Sequence, residues 1–179
     1  VGGAAGADRL LGGGGLAWAS GSGSAAAGEV DLNRESQLGG DATGDSLAGI
    51  EALWGSRHAD RLAGDSADNL LRGAGGHDLL LGSDGHERIE GDAGDDTLSG
   101  GHHNDTLIGG DGRDWALYDG RPAVRVNLSW TSAQNTVGRG VDLLVGIENV
   151  MGGWGHDTLT GNRLANALHG DTGNDHLIG

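Results

Sequence analysis

The chain has no cysteine, no phenylalanine and no lysine, and it holds a single proline among its 179 residues. Without cysteine there is no disulfide framework, which suits either a reducing compartment or an exported protein that is stabilised in some other way. With no phenylalanine and only 36% apolar residues, an ordinary layered core cannot be built, although the length would suit one domain. The chain is therefore disordered, fibrous or a repeat solenoid. Eleven arginines stand against twenty aspartates and six glutamates, for a net charge of -15. Nucleic acid and anionic membranes are poor partners for such a chain, and cations are natural ones. There is no charged-then-apolar leader, no apolar run long enough to span a bilayer, and Val1 is not an initiator methionine, so the chain reads as an internal piece of something longer.

What is abundant is glycine, 39 residues of it, and it is periodic. The stretch GDAGDDTLSGGHHNDTLIGGDGRDWAL, residues 91–117, is three nine-residue lines end to end. The frame holds without a slip from Gly55 to Leu117, giving seven lines; three more run from Gly152 to Ile178, and two precede, from Gly3 to Ser20. Over these twelve lines the first place is always Gly, the fourth is Gly in eight, the sixth is Asp in eight and the eighth is Leu or Ile in ten. A fixed short period of this kind is the mark of a solenoid.

A longer period lies above the short one. GGGGLAWAS at 12–20 matches GGDGRDWAL at 109–117, and GIEALWGSRHADRLAG at 49–64 matches GIENVMGGWGHDTLTG at 146–161, both at an offset of 97 residues. The chain thus divides into a partial repeat run at 1–20, a segment at 21–54, a central run at 55–117, a segment at 118–151 and a second run at 152–179. Each intervening segment carries an alternating apolar stretch (Val30, Leu32; Val124, Val126, Leu128) ahead of its GIE signal, and is expected to add short strands and a loop to the stack.

Each place in the nonapeptide has a physical task. Glycine at places one and four permits positive φ and close backbone approach, so six residues make a tight turn lined by carbonyls. The last few residues, as in DTLSG, are left to form a strand with its lone Leu pointing inward. Two such half-coils make a full turn of about eighteen residues, which stacks alternate lines on one edge at the parallel-sheet spacing of roughly 4.7–4.9 Å. The sixth-place carboxylates then form a column of like charge that repels itself. A hard divalent cation between turns removes the conflict. Ca²⁺ is the fitting one, because it accepts flexible sets of six to eight carboxylate and carbonyl oxygens, whereas Mg²⁺ demands a stricter octahedron.

The pattern GGxGxDxUx, carried by the seven unbroken lines, resembles the RTX (repeat-in-toxin, haemolysin-type) calcium-binding repeat. The resemblance implies an all-β fold, a right-handed parallel β-roll or β-solenoid with several Ca²⁺ ions in its turns. It also implies a secreted, extracellular protein that leaves a bacterial cell through the type I secretion apparatus and folds on meeting external calcium. The sites it implies pair sixth-place carboxylates from two lines on the same edge with turn carbonyls, including those of places one and three. Carried over, the set is Gly73, Gly75, Asp78, Gly91, Ala93, Asp96, Gly109, Asp111 and Asp114, with Asp60, Asp105, Asp157 and Asp175 as further carboxylates. His58, Ala67, His103 and Leu164 depart from the fourth-place Gly, and Asn69, Asn166, Glu87 and Ala17 from the sixth-place Asp.

Other motifs read as bland. GDSL at 44–47 spells a hydrolase nucleophile block around Ser46, but no His has Asp three places before it, as that family's DxxH motif requires. His102 and His103, with His77, His86 and His156, read as solvated turn residues, since no HExxH or spaced Cys/His set is present. The GGGG run at 12–15 lacks the strand-then-helix setting of a nucleotide loop. The five Trp fall outside the inward eighth place and are expected to cap or cover the roll. The sequence therefore predicts a noncatalytic calcium-binding module that supports export, stability or display of attached domains. The alternatives are an accessory roll of a secreted protease, lipase or epimerase, and an adhesin or ice-binding surface; against the last, place seven shows no regular Thr or Asn file.

Overall fold

A computed structural model describes residues 6–179; Gly3, which opens the first repeat line, lies outside the described residues. Each repeat line contributes one strand, and odd and even lines go to opposite faces. One seven-stranded sheet runs, in spatial order, through Glu29–Asp31, Arg61–Ala63, Leu79–Ser83, Thr97–Gly101, Trp115–Leu117, Asn149–Met151 and Ala167–His169. The other runs through Trp18–Ser20, Ala52–Trp54, Leu70–Gly75, Arg88–Ala93, Thr106–Asp111, Val141–Val145 and Gln134–Asn135. Every pairing in them is parallel except that of Gln134–Asn135 with Val141–Val145. In the central run partners are 18 residues apart, as in Leu62, Leu80 and Leu98 on one face and Leu71, Ile89 and Leu107 on the other. That is the spacing of two nonapeptides, so the coil length expected from the repeat is the coil length observed.

The core lies between the two sheets. Leu62, Leu71, Leu80, Ile89, Leu98 and Leu107 are buried and join one apolar cluster with Leu53, Ala116, Val126, Val150 and Leu159. Each buried Leu contributes on the order of 1.5–3 kcal/mol, and each line from Gly55 to Ile108 supplies one buried Leu or Ile. The last lines are more open: Leu168 is half-buried and Leu177 is 46% exposed.

Both 34-residue segments feed strands into the same stack. Glu29–Asp31 pairs with Arg61–Ala63, and Arg125–Asn127 pairs with Thr158–Thr160. Each segment is held by a buried glutamine. Gln37 Oε1 accepts the Asp31 N–H at 2.7 Å while its amide donates to the Asp31 carbonyl at 3.0 Å. Gln134 makes the same pair of bonds with Asn127, at 2.7 and 3.2 Å. Two smaller parallel sheets complete the stack, Arg9–Leu11 with Ser46–Ala48, and Arg125–Asn127 with Thr158–Thr160 and His176–Ile178. Among the described residues no helix is long and apolar enough to cross a membrane.

Candidate metal centre

The turns that join the two sheets carry the sixth-place carboxylates. On one edge, the Asp60 N–H donates to Asp78 Oδ1 (2.7 Å), the Asp78 N–H to Asp96 Oδ1 (2.8 Å) and the Asp96 N–H to Asp114 Oδ1 (2.9 Å). The column closes where the Asp114 N–H donates to Glu148 Oε2 at 2.9 Å. One oxygen of each aspartate is therefore taken by the coil before it. The other, Oδ2 of Asp78, Asp96 and Asp114, is buried without any hydrogen-bond partner. An unsatisfied buried acceptor costs on the order of 1–3 kcal/mol, and more when charged. Three in one column call for an explanation, and a bound cation is one.

The space around these oxygens is open because place one is glycine. A Cβ on Gly91 would fall against Asp96 Oδ2 and lie 2.6 Å from the Gly109 carbonyl oxygen. Gly73 stands in the same relation to Asp78 Oδ2 and the Gly91 carbonyl, and Gly109 to Asp114 Oδ2 and the Gly146 carbonyl. Each cradle is thus walled by a carboxylate oxygen of its own turn and a carbonyl oxygen of the next coil. Mixed carboxylate and carbonyl oxygen donors suit Ca²⁺. Among the described residues no three His, Asp or Glu side chains converge on one point, so carbonyls supply the larger part of any shell. The donor set fits a hard cation shared between backbone and carboxylates, and it does not form a carboxylate cage.

The place-three residues Gly75, Ala93 and Asp111 stack in register. The Ala93 and Asp111 carbonyls accept the N–H groups of Gly76 (3.0 Å) and Gly94 (2.9 Å), which leaves each a second lone pair.

Burial decides the electrostatics of the column. It pushes the Asp78 carboxyl up to about 7, opposed by the hydrogen bond from the Asp60 backbone and reinforced by the charges of Asp96 and Asp60. Asp114 is pushed up to about 6 by the same cause, and Asp96 is also raised. In the absence of a cation these groups favour protons, a response to desolvation and like charge.

Two kinds of turn occur, and the difference lies at places two and four. In the lines that begin at Gly73 and Gly91, place four is glycine at positive φ (Gly76, 125°; Gly94, 135°), and place two is also left-handed (Ala74, 79°; Asp92, 73°). Place one is not at positive φ there, contrary to the expectation from sequence; its glycine is required by the close approach of the carboxylate. Where place four is His58, Ala67 or Leu164, place two is Ser56, Asp65 or Asn162. Its side chain accepts the place-four N–H, at 3.1, 2.9 and 2.9 Å. A local side-chain turn replaces the glycine turn. His103 is the exception, holding place four at φ 77° without glycine.

The second edge differs accordingly. The Glu87 N–H donates to Asp105 Oδ1 (3.0 Å) and the Asp105 N–H to Asp142 Oδ1 (3.1 Å). Asn69 turns its Oδ1 to the Asp65 N–H of its own turn at 2.7 Å. Burial, with the Asp105 carboxyl beside it, pushes Glu87 up to about 9. At Asp142, Oδ2 accepts the Thr136 hydroxyl (2.9 Å) and the Tyr118 hydroxyl (3.2 Å). Two hydroxyl donors thus satisfy the oxygen whose counterpart at Asp96 has no hydrogen-bond partner. Further along, Asp157 Oδ1 accepts the Val124 N–H (2.8 Å), its Oδ2 is another buried orphan, and its N–H donates to Asp175 Oδ1 (2.9 Å).

The structure thus brings Asp78, Asp96 and Asp114 together with Gly73, Gly91 and Gly109. Asp60 heads the same column, but both its oxygens are engaged: Oδ2 by the Ser56 N–H and Oδ1 by the Gly28 N–H, each at 2.5 Å. Sequence reasoning missed Asp142 and Glu148, which close the two columns, although both stand in the duplicated segments. It also missed a second ladder at place five. His77 Nδ1 accepts the Asp95 N–H (2.8 Å), Asp95 Oδ1 accepts the Arg113 N–H (3.0 Å), and His156 Nδ1 accepts the Asn174 N–H (2.8 Å). These turn histidines bridge successive coils.

A family model described as RTX calcium-binding nonapeptide repeat (4 copies) matches residues 54–86, 81–116 and 151–179, together more than half of the chain. The comparison with curated proteins finds no match.

Proposed function

The chain belongs to the RTX calcium-binding nonapeptide-repeat family, and on that premise we propose that it is a noncatalytic β-roll module of a secreted bacterial protein. In this reading the roll is right-handed and folds on meeting extracellular calcium. It then supports the export, stability or display of a domain attached to it. The observation that carries the reading is the column of buried, unpartnered Oδ2 atoms at Asp78, Asp96 and Asp114, each beside a glycine cradle. Calcium would be held there by these carboxylates and by the carbonyls of places one and three, from Gly73, Gly75, Gly91, Ala93, Gly109 and Asp111. When bound it supplies positive charge to a column that is otherwise self-repelling. Asp105 and Asp157 offer secondary half-sites, Asp175 and Asp60 the weakest ones, because Asp60 already has a backbone donor on each oxygen.

Counting bound calcium by equilibrium dialysis tests this. The intact chain should bind several ions, and Asp78→Asn/Asp96→Asn/Asp114→Asn should lose at least two of them. An unchanged count in the triple variant would place the ions elsewhere and overturn the assignment.

A further inference from the structure

The two carboxylate columns end differently. On the first edge Asp114 keeps its Oδ2 as a buried orphan. On the second edge the column ends at Asp142, which is 2% exposed, and both of its oxygens are taken. Oδ1 accepts the Asp105 N–H (3.1 Å), and Oδ2 accepts the hydroxyls of Thr136 (2.9 Å) and Tyr118 (3.2 Å). Both donors are themselves buried. The other acceptor in reach of Thr136 Oγ1 is the Gly140 carbonyl at 3.1 Å, which already receives the Thr136 N–H at 3.0 Å. The carboxylate is the stronger acceptor of the two. Burial, with the Asp142 charge beside it, raises the Tyr118 hydroxyl well above the ordinary phenol value, so it stays a donor.

The fold does not demand these hydroxyls. The segment 97 residues earlier makes the same turn around Asp45, whose Oδ1 accepts the Asp8 N–H at 2.8 Å as Asp142 Oδ1 accepts that of Asp105. The Gly21 N–H there donates to the Trp54 carbonyl at 2.7 Å, as the Tyr118 N–H donates to that of Met151 at 2.9 Å. Yet Gly21 stands where Tyr118 does, and Gly39 where Thr136 does. Place one differs as well. Gly73, Gly91 and Gly109 each lie beside the Oδ2 of their own turn. Counted back from Asp142 in the nonapeptide frame, place one falls on Val137, whereas in the earlier segment it falls on Gly40.

With calcium held at Asp78, Asp96 and Asp114 as read above, we propose that Tyr118 and Thr136 determine metal selectivity on the second edge: their hydroxyls take the place of calcium at Asp142. An O–H that points its hydrogen at a carboxylate presents the same sign of charge as a cation, where a cation would sit. A buried acceptor that is already satisfied also gains less from a new partner than an orphan does. The coil that joins the second segment to the central run thus needs no ion at Asp142.

The test counts bound ions by equilibrium dialysis on the full chain at saturating calcium. Asp142→Asn should bind as many ions as the unaltered chain, because its turn holds none. Tyr118→Phe/Thr136→Val/Val137→Gly strips both donors from Asp142 Oδ2 and reopens place one. It should bind one ion more, and adding Asp142→Asn to it should remove that ion again. If the hydroxyls serve packing alone, the triple variant loses stability and gains no ion. Loss of an ion in Asp142→Asn overturns the proposal, and so does a folded triple variant with an unchanged count. Should the triple variant not fold, the Asp142→Asn count decides by itself. Failure of the calcium reading shows separately, as an unchanged count in Asp78→Asn/Asp96→Asn/Asp114→Asn.

Discussion

At the scale of the residue, what distinguishes Asp96 from Asp105 is the set of neighbours each has in its column. Asp96 Oδ2 is a buried orphan beside Gly91, and its turn and both neighbouring turns on that edge keep glycine at places one and four. Asp105 stands between Glu87, whose side chain is one methylene longer, and Asp142, whose Oδ2 is already bonded by Thr136 and Tyr118. Asp96→Asn is therefore expected to raise the calcium midpoint for folding markedly, and Asp105→Asn only slightly, as followed by circular dichroism. Equal shifts would mean that the edges are equivalent. The raised carboxyls carry a second expectation. In the unfolded chain they titrate near 4, while in the folded chain Asp114, Asp78 and Glu87 titrate at about 6, 7 and 9. The folded state thus binds more protons between those values. Its stability in chelator should be greatest at acid pH and fall as pH rises through 6, 7 and 9. Far-UV circular dichroism in chelator between pH 5 and pH 9 checks this, and a β signal that rises with pH contradicts it.

At the scale of the element, the strands were legible and the turns only partly so. One inward Leu every nine residues dictated both the strand and the coil length, and Leu71, Leu80, Ile89 and Leu98 lie where the period put them. The turn was harder, because its left-handed places two and four are held by Ala74 and Asp92 as well as by glycine, so place two left no signature in composition. The substitutes at place four, His58 and Ala67, became intelligible only once Ser56 and Asp65 were seen to bond the same N–H. The ends of the carboxylate columns were hidden for another reason: Asp142 and Glu148 lie 37 and 34 residues from their partners, outside the nine-residue frame. Two substitutions separate the roles of strand and turn. Leu98→Ala should destabilise the calcium-bound roll by about 2–5 kcal/mol through the cavity it leaves. It should leave the number of bound ions unchanged. Gly94→Ala puts a Cβ at φ 135° against the Gly76 carbonyl. It should cost about 1–3 kcal/mol of backbone strain or more and lose calcium from the adjoining turns. Denaturant melts with ion counting measure both; calcium loss in the Leu98 variant alone would reverse the assignment of roles.

At the scale of the whole molecule, the chain couples a thin core to an acidic ladder. A single aliphatic side chain per nine ordered residues is little to set against conformational entropy, and the net charge of -15 opposes compaction. A ligand that binds only the folded roll then supplies folding free energy. Far-UV circular dichroism of the intact chain, first in chelator and then with calcium added, tests this coupling most directly. The chain should be largely unfolded in chelator near neutral pH. It should gain its β signal at roughly 0.1–1 mM calcium, the range of extracellular modules, and respond far less to equal magnesium. A full β signal with a cooperative thermal transition in chelator would contradict the account.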